Sequence, residues 1–357
     1  MEQFDDVKII ELKNENMNLQ KQIIAMQDTL HEFYTAYCEL IKLEEENQKE
    51  NAILNQYIRQ HEAILNNLKY EFSDSRNNSF SNVFLPKFRS NAETIRLIVE
   101  EKKSLARFGD GEFSIAFDIP RQKFQKIDSK LKARIWEVLN TTHPQLILAI
   151  ADQYGNLDKY NDFSAYAIRI YMTDETRKMH RKILSDSIEY SDAYITRPYV
   201  LYKDVFTEEP KKRFESLKRI WEGKRVMVVE GAQTRLGVRN DLFAKAVAIY
   251  RILAPATNSF DQYDNLLKEC LKHADNVDLF LLAIGPSSGI LAYDLTVNGY
   301  QAVDVGHIDL EYEWFLAGKG TRVSIPYKYN NEIEGGDVVE AIHDDKYESQ
   351  IVASYAD

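Results

Sequence analysis

The chain has 357 residues and a formal net charge of −11. That balance excludes nucleic acid or an anionic membrane surface as its main partner. The length allows one large domain plus an accessory element. Two cysteines, Cys38 and Cys270, fit no zinc or redox spacing and suit a reducing compartment. The opening MEQFDDVKII carries no signal-peptide pattern, and no stretch has the apolar length of a bilayer span. A soluble, cytoplasmic protein is expected.

The first region, residues 1–73, reads as a coiled coil. One heptad register runs from 9 to 72. Its a positions are Ile9, Asn16, Ile23, Leu30, Tyr37, Glu44, Asn51, Ile58, Leu65 and Phe72. Its d positions are Leu12, Leu19, Met26, Phe33, Leu40, Asn47, Leu54, His61 and Leu68. Isoleucine at a with leucine at d favours a parallel two-stranded coil, and Asn16 at a fixes register. A rod of roughly 95 Å follows from the helical rise. The competing reading is a helical hairpin bent at EEENQKEN; that block lacks the Gly or Pro of a tight turn. A homodimer through this region is expected.

A polar linker, residues 74–90, follows. Ser90 and Glu93 then open a helix with a capping box. Residues 91–335 alternate strand and helix patterns. The strands are SLARF (104–108), LILAI (146–150), VMVVE (226–230), AIYRILA (248–254), LFLLAI (279–284) and QAVDV (301–305). Continuous apolar runs of this kind suit parallel strands covered on both faces. The expected fold is α/β, a Rossmann-like open, mostly parallel sheet with helices on both faces, preceded by the coiled coil. Residues 336–357 read as an acidic, unpatterned tail.

Ligands of open parallel sheets bind outside the carboxyl ends of the strands. Four strand ends here carry glycine followed by polar groups. After SLARF comes Gly109-Asp110-Gly111-Glu112. As an isolated motif it reads either as a hairpin turn or as a site for a hard cation such as Mn²⁺ or Mg²⁺. After VMVVE, Gly231 leads to Arg235, Arg239, Asn240 and Asp241; the arginines could neutralise a diphosphate. After LFLLAI, Ser287 and Ser288 in GPSSG mark a helix start suited to phosphate. After QAVDV comes GHIDLEYEW. Neither GxxxxGK[ST] nor a strand-to-helix GxGxxG is present, so neither a P-loop nor a dinucleotide site is supported. Beside the arginines and the phosphate-type loops, the cation reading of Asp110 and Glu112 is favoured over the turn.

The segments RFGDGEF, RPY (197–199), VVEGAQTRLGVRNDLF, RILAPATNSF, GPSSGILAYDL and DVGHIDLEYEWFLAGKG together resemble the GT-D class of bacterial glycosyltransferases. That family was first filed as a domain of unknown function. It includes enzymes that extend glycans on serine-rich repeat adhesins. The resemblance covers about residues 90–335, leaving the coiled coil as an addition. It implies a UDP-sugar donor, a saccharide or glycoprotein acceptor, and a divalent metal held by a DxE pair, here Asp110 and Glu112. The transferred group would be a hexose, glucose or galactose, moved by inverting displacement. Arg107, Arg235 and Arg239 would share the phosphate charge, with Gly109 and Gly111 permitting close approach. The acceptor base is placed in GHIDLEYEW, at Asp309 or Glu311, with His307 orienting it or touching the donor. On that helix Glu313 shares the face of Asp309 while Glu311 projects away. Two rival readings are a non-catalytic nucleotide-sugar scaffold and another metal-dependent phosphate-ester enzyme.

Overall fold

The computed structural model describes residues 2–72, 84–120 and 125–356, with side chains from Lys13 onward. Residues 73–83, most of the polar linker, lie outside the described residues. The chain divides into two compact units, residues 1–63 and 64–357.

Helix α1 spans Glu2–Glu71 without interruption. It passes straight through residues 44–51, so the hairpin alternative is overturned. The polar block contains no helix breaker, and Glu, Gln and Lys are good helix formers. The last turns of α1 belong to the second unit. There Asn67 Oδ1 accepts from Arg177 at 2.8 Å, and Arg169 pairs with Glu71 at 2.6 Å.

The second unit continues with β1 (Lys87–Phe88), α2 (Asn91–Val99), β2 (Ser104–Phe108), α3 (Asp110–Ala116), α4 (Ser129–Leu139), β3 (Leu146–Ile150), α5 (Asp162–Tyr171), α6 (Asp174–Arg181) and β4 (Glu189–Asp192). Then come α7 (Glu209–Lys218), β5 (Arg225–Gly231), β6 (Ala248–Ala254), α8 (Tyr263–His273), β7 (Leu279–Ala283), α9 (Ser287–Val297), β8 (Ala302–Asp304), α10 (Ile308–Leu316), α11 (Asp345–Gln350) and β9 (Ile351–Ser354). The strands pair in parallel in the order β1-β4-β3-β2-β8-β7-β5-β6-β9. All six expected strands are present. Three were not anticipated: β1, β4 and β9. Strand β1 takes the end of the stretch read as linker. The stretch read as an acidic tail supplies α11 and β9, which covers the β6 edge. That correction has a simple cause. Strand β9 is half-exposed and four residues long, and its apolar run of Ile351, Val352 and Ala353 is too short to announce it.

Period-two alternation splits the core between the two faces of the sheet. Ala106, Phe108, Leu148, Met227, Val229, Phe280 and Leu282 pack with α3, α4, α8 and α9. Leu105, Ile147, Val226, Val228, Leu279 and Leu281 pack with α2, α7 and α10. Strands β3 and β7 are buried along their whole length, as two-sided cover requires. The chain leaves β2 toward β3 on one side, while β8 returns beside β2 from the β7 side. This reversal of direction opens a crevice at the carboxyl ends of β2 and β8.

Candidate active site

A cavity of about 320 Å³ occupies that crevice. Its wall takes residues from six strand ends: Gly109 to Glu112 after β2, Ala151 after β3, Ala193 and Tyr194 after β4, Thr234 and Leu236 after β5, Gly285 after β7, and Gly306 and His307 after β8. Gly306 is needed there. Its φ is +46°, and a Cβ would fall 1.9 Å from Arg107 Nη2.

Asp110 and Glu112 form the first turn of α3, not the loop that their glycines suggested. Glu112 Oε2 accepts the Gly109 N–H at 2.6 Å and so closes the helix start. Asp110 is exposed at the cavity. Burial pushes the Glu112 carboxyl up to about 7, and the nearby Asp304 and Asp110 carboxylates add to the rise. Asp304 also lines the cavity, and burial raises its carboxyl against the lowering effect of Arg107. Three acids therefore crowd one wall.

Behind α3 lies His180, stacked on Phe113 with ring centroids 3.9 Å apart. Its ring nitrogens meet the Tyr154 hydroxyl at 2.6 Å and the Tyr171 hydroxyl at 3.1 Å. Burial holds its pKa down at about 3. Because the folded value lies below the unfolded one, the unfolded chain binds more protons, and stability falls as pH drops from 6.5 toward 3. At pH 5 the loss from this group is about 2 kcal/mol. Urea unfolding of His180→Gln at pH 7 and pH 5 should show a pH dependence smaller by that amount.

Arg107 reaches the cavity, but three of its N–H groups are engaged. They go to the Asp304 carbonyl at 3.0 Å, to Asp304 Oδ1 at 2.9 Å and to the Ala193 carbonyl at 3.0 Å. It ties the ends of β2, β4 and β8 together. The loop after β5 does not deliver its expected phosphate ligands. Gly231, Arg235, Arg239, Asn240 and Asp241 are all absent from the cavity wall; Thr234 and Leu236 stand there instead. Arg235 and Arg239 adopt left-handed backbone, φ 50° and 63°. Arg235 donates to the Tyr327 and Glu340 carbonyls, and Arg239 lies over the Tyr327 ring. Asp241 accepts from Tyr312 Oη at 2.6 Å. Glu230, paired with Arg251 at 2.5 Å, accepts the Leu236 N–H and holds the loop in place. The GPSSG serines also turn inward. Ser287 Oγ lies 3.1 Å from Ser259 Oγ, and Ser288 Oγ accepts the Ile284 N–H at 2.9 Å. Ser288, Gly285 and Pro286 still line the cavity.

Helix α10 separates its acids as the helical spacing implied. Asp309 and Glu313 share one face and two partners. Lys328 Nζ lies 2.5 Å from Asp309 Oδ2 and 2.8 Å from Glu313 Oε1, and Asn240 Nδ2 donates to both acids at 2.8 Å. Asp309 also accepts the Gly237 N–H. Glu311 points the other way and is fully buried. Its Oε2 accepts the Tyr199 and Val200 N–H groups at 3.1 and 3.0 Å, and Arg197 is 3.7 Å from its other oxygen. Glu311 is thus a strut for the segment after β4, and it does not line the cavity. Lys328 is fully buried. Lys328→Met would leave Asp309 and Glu313 without their counter-charge and should lower unfolding free energy by about 3–5 kcal/mol. Chemical denaturation measures this directly.

His307 faces the cavity with its side chain 39% exposed. Desolvation and the Arg197, Arg107 and Arg322 cations hold its pKa down at about 4, against the opposing pull of Glu332. Its Nε2 is 3.9 Å from Glu332 Oε1. Glu332 pairs with Arg197 and lies 3.0 Å from Arg322 Nε, which keeps its carboxyl well below the usual range despite burial. Arg197, Asp304, Tyr194 and Glu332 were missed as site residues. An acid inside the apolar run QAVDV was a signal for Asp304. Arg197 sat in the RPY motif without a role. Glu332 lies in a stretch without periodicity and offered none.

Carboxylates, a histidine and half-buried arginines gather at the switch point of a parallel sheet, where sheets of this kind bind their ligands. Residues 105–333 match the model of the glycosyltransferase GT-D fold. The chain belongs to that family. It is 36% identical over 266 residues to the glycosyltransferase GlyD of Streptococcus pneumoniae serotype 4, covering 73% of this chain and 31% of that one. It is 32% identical over 274 residues to the probable glycosyl transferase Gly of Streptococcus gordonii, covering 74% and 38%. The chain thus spans about a third of the length of these curated relatives. Among solved structures, a glycosyltransferase of the domain-of-unknown-function-1792 type from Streptococcus sanguinis superposes with a TM-score of 0.72 at 31% identity, over 76% of this chain and 100% of that one. Another structure of that domain, described as a distinct glycosyltransferase fold, gives 0.70 at 34% identity, over 75% and 95%. Among the described residues, no helix is long and apolar enough to cross a membrane.

Proposed function

We propose that the chain is a metal-dependent glycosyltransferase. It moves a hexose, glucose or galactose, from a UDP-sugar to a saccharide acceptor on a glycoprotein or glycan, by inverting displacement. The observation that carries this reading is the crowding of Asp110, Glu112 and Asp304 at the switch-point cavity, with one carboxyl driven up to about 7. A cavity that concentrates anions yet must take a diphosphate requires a cation between them.

The donor set fits Mn²⁺ or Mg²⁺. It is all oxygen, and such ions use one or two carboxylates with substrate phosphates and water. Asp110 and Glu112 would hold the ion. Among the described residues, the group that brings three ligating side-chain atoms within 4.8 Å is the exposed His343, Asp345 and Glu348, none of which lines the cavity. The DxE pair therefore relies on the donor for its remaining ligands. When bound, the metal supplies Lewis-acid stabilisation of the leaving diphosphate. Ile115, Ile119 and Ile127 provide an apolar wall for the uracil ring, and Arg197 and Arg107 lend positive charge to the phosphates.

Inversion needs one base and no nucleophile. Asp309 is clamped by Lys328 and Asn240, and Glu311 lies outside the cavity, so neither acid is poised to attack an anomeric carbon. His307, neutral and facing the cavity, is the base in this reading and takes the acceptor hydroxyl proton. Titration calorimetry of the full chain with UDP, ADP and GDP tests the donor class. Binding of UDP that tightens with Mn²⁺ is expected. Equal binding of all three nucleotides would remove the UDP assignment. Cytoplasmic acceptor chemistry and a single-displacement product belong to the same proposal.

A further inference from the structure

The glycosyltransferase reading leaves α1 unexplained. In the described part of its heptad seam, large apolar side chains stand in water. Met26, Leu30 and Phe33 are 74%, 70% and 71% exposed, and Leu19, Ile23, Tyr37, Leu40, Leu54 and Ile58 are exposed beside them. A lone chain rarely leaves so long an apolar stripe uncovered. The residues recur at the 3.5-residue period of a coiled coil, and a partner helix of the same period is what covers such a stripe.

The polar seam residues set the orientation of a self-pair. Between 16 and 61 the a positions contain three, Asn16, Glu44 and Asn51, and the d positions contain two, Asn47 and His61. In an antiparallel self-pair, a faces d, so three polar a residues cannot all meet two polar d residues. At least one must then be buried against an apolar side chain, at a cost. In a parallel, in-register pair, a faces a and d faces d. Every polar seam residue then meets its own copy, and every apolar one meets its own copy. The Glu44 layer brings like charges together and weakens the coil locally, while Asn16 sets the register. The area is sufficient. Aromatic side chains bury about 150–250 Å² each, so Phe33 and Tyr37 of two copies supply about 600–1,000 Å². Ile23, Met26, Leu30 and Leu40 carry the total past the roughly 1,200 Å² of a stable interface.

We propose that the exposed seam of α1 binds a second copy of this chain, parallel and in register. Light scattering on the full chain should give twice the 41.5 kDa chain mass. The double variant Leu30→Lys/Leu40→Lys, altered at exposed positions, should give the single mass with its helix content retained. Orientation is read separately from Leu19→Cys in a Cys38→Ser background, since Cys270 is buried. Oxidation should link most of the chains in pairs through residue 19, which lies far from its mate in nearly every antiparallel register. A wild-type mass of one, three or four chains overturns the proposal, as does a dimer that resists cross-linking at residue 19. None of these readouts depends on glycosyl transfer, so the two proposals stand or fall separately.

Discussion

Asp110→Asn and Glu112→Gln should each lower UDP-sugar turnover by about 10²–10³-fold, the loss that follows when several kcal/mol of Lewis-acid stabilisation disappear. Both substitutions keep the shape of the residue. Asp110 is exposed, so its amide disturbs no packing. Glu112 accepts the Gly109 N–H, and a glutamine carbonyl can accept the same bond. Thermal unfolding should therefore stay close to wild type while turnover collapses. The carboxyl at position 112 adds a specific signature. Its pKa is pushed up to about 7 without a cation. Metal binding should release a proton there near neutral pH, and calorimetry in buffers of different ionisation enthalpy would detect it. Glu112→Gln should abolish that proton release. Turnover equal to wild type at limiting Mn²⁺ would dismiss either residue as a ligand.

His307→Gln should lower kcat by about 10²–10⁴-fold, the usual worth of a general base, while UDP binding persists. The pH profile of the wild type distinguishes this role from simple packing. A base must be deprotonated to act, and His307 has its pKa held down at about 4. At saturating Mn²⁺, which holds Glu112 ionised, the rate limb set by His307 should therefore lie well below the ordinary histidine range. Glu332→Gln removes the anion that raises the His307 value and should move that limb lower still. Asp309→Asn should instead cost stability, because Asp309 is ion-paired with Lys328. A His307→Gln enzyme with near-normal kcat on a good acceptor would place the base elsewhere.

The sheet was largely legible because its central strands are continuous apolar runs, such as LILAI and LFLLAI, that no other element explains. Its edges were not. Strand β9 alternates half-buried and exposed residues beside an acidic segment, and β1 has two residues. The loops after β2 and β8 were read as ligand-facing, and the cavity lies between them. The loop after β5 was read the same way, and here charge misled. Arg235 and Arg239 resemble phosphate ligands by type, yet they bind carbonyls and a ring of the segment 327–340, whose position no local pattern reveals. The α10 acids show the same limit. Helical spacing correctly split Asp309 and Glu313 from Glu311, but Lys328, which neutralises two of them, lies on a distant turn. A residue type shows what a side chain can do; its partners, set by the tertiary fold, decide what it does.

The most direct test of the proposed activity is nucleotide release. The full chain is incubated with Mn²⁺ and a panel of nucleotide sugars, with and without saccharide acceptors, and free nucleotide is measured. UDP release from UDP-glucose or UDP-galactose should rise with the right acceptor, stop on chelation and be lost in Asp110→Asn. Release that survives both chelation and Asp110→Asn, or none from any UDP-hexose while another nucleotide sugar is consumed, would contradict the proposed activity.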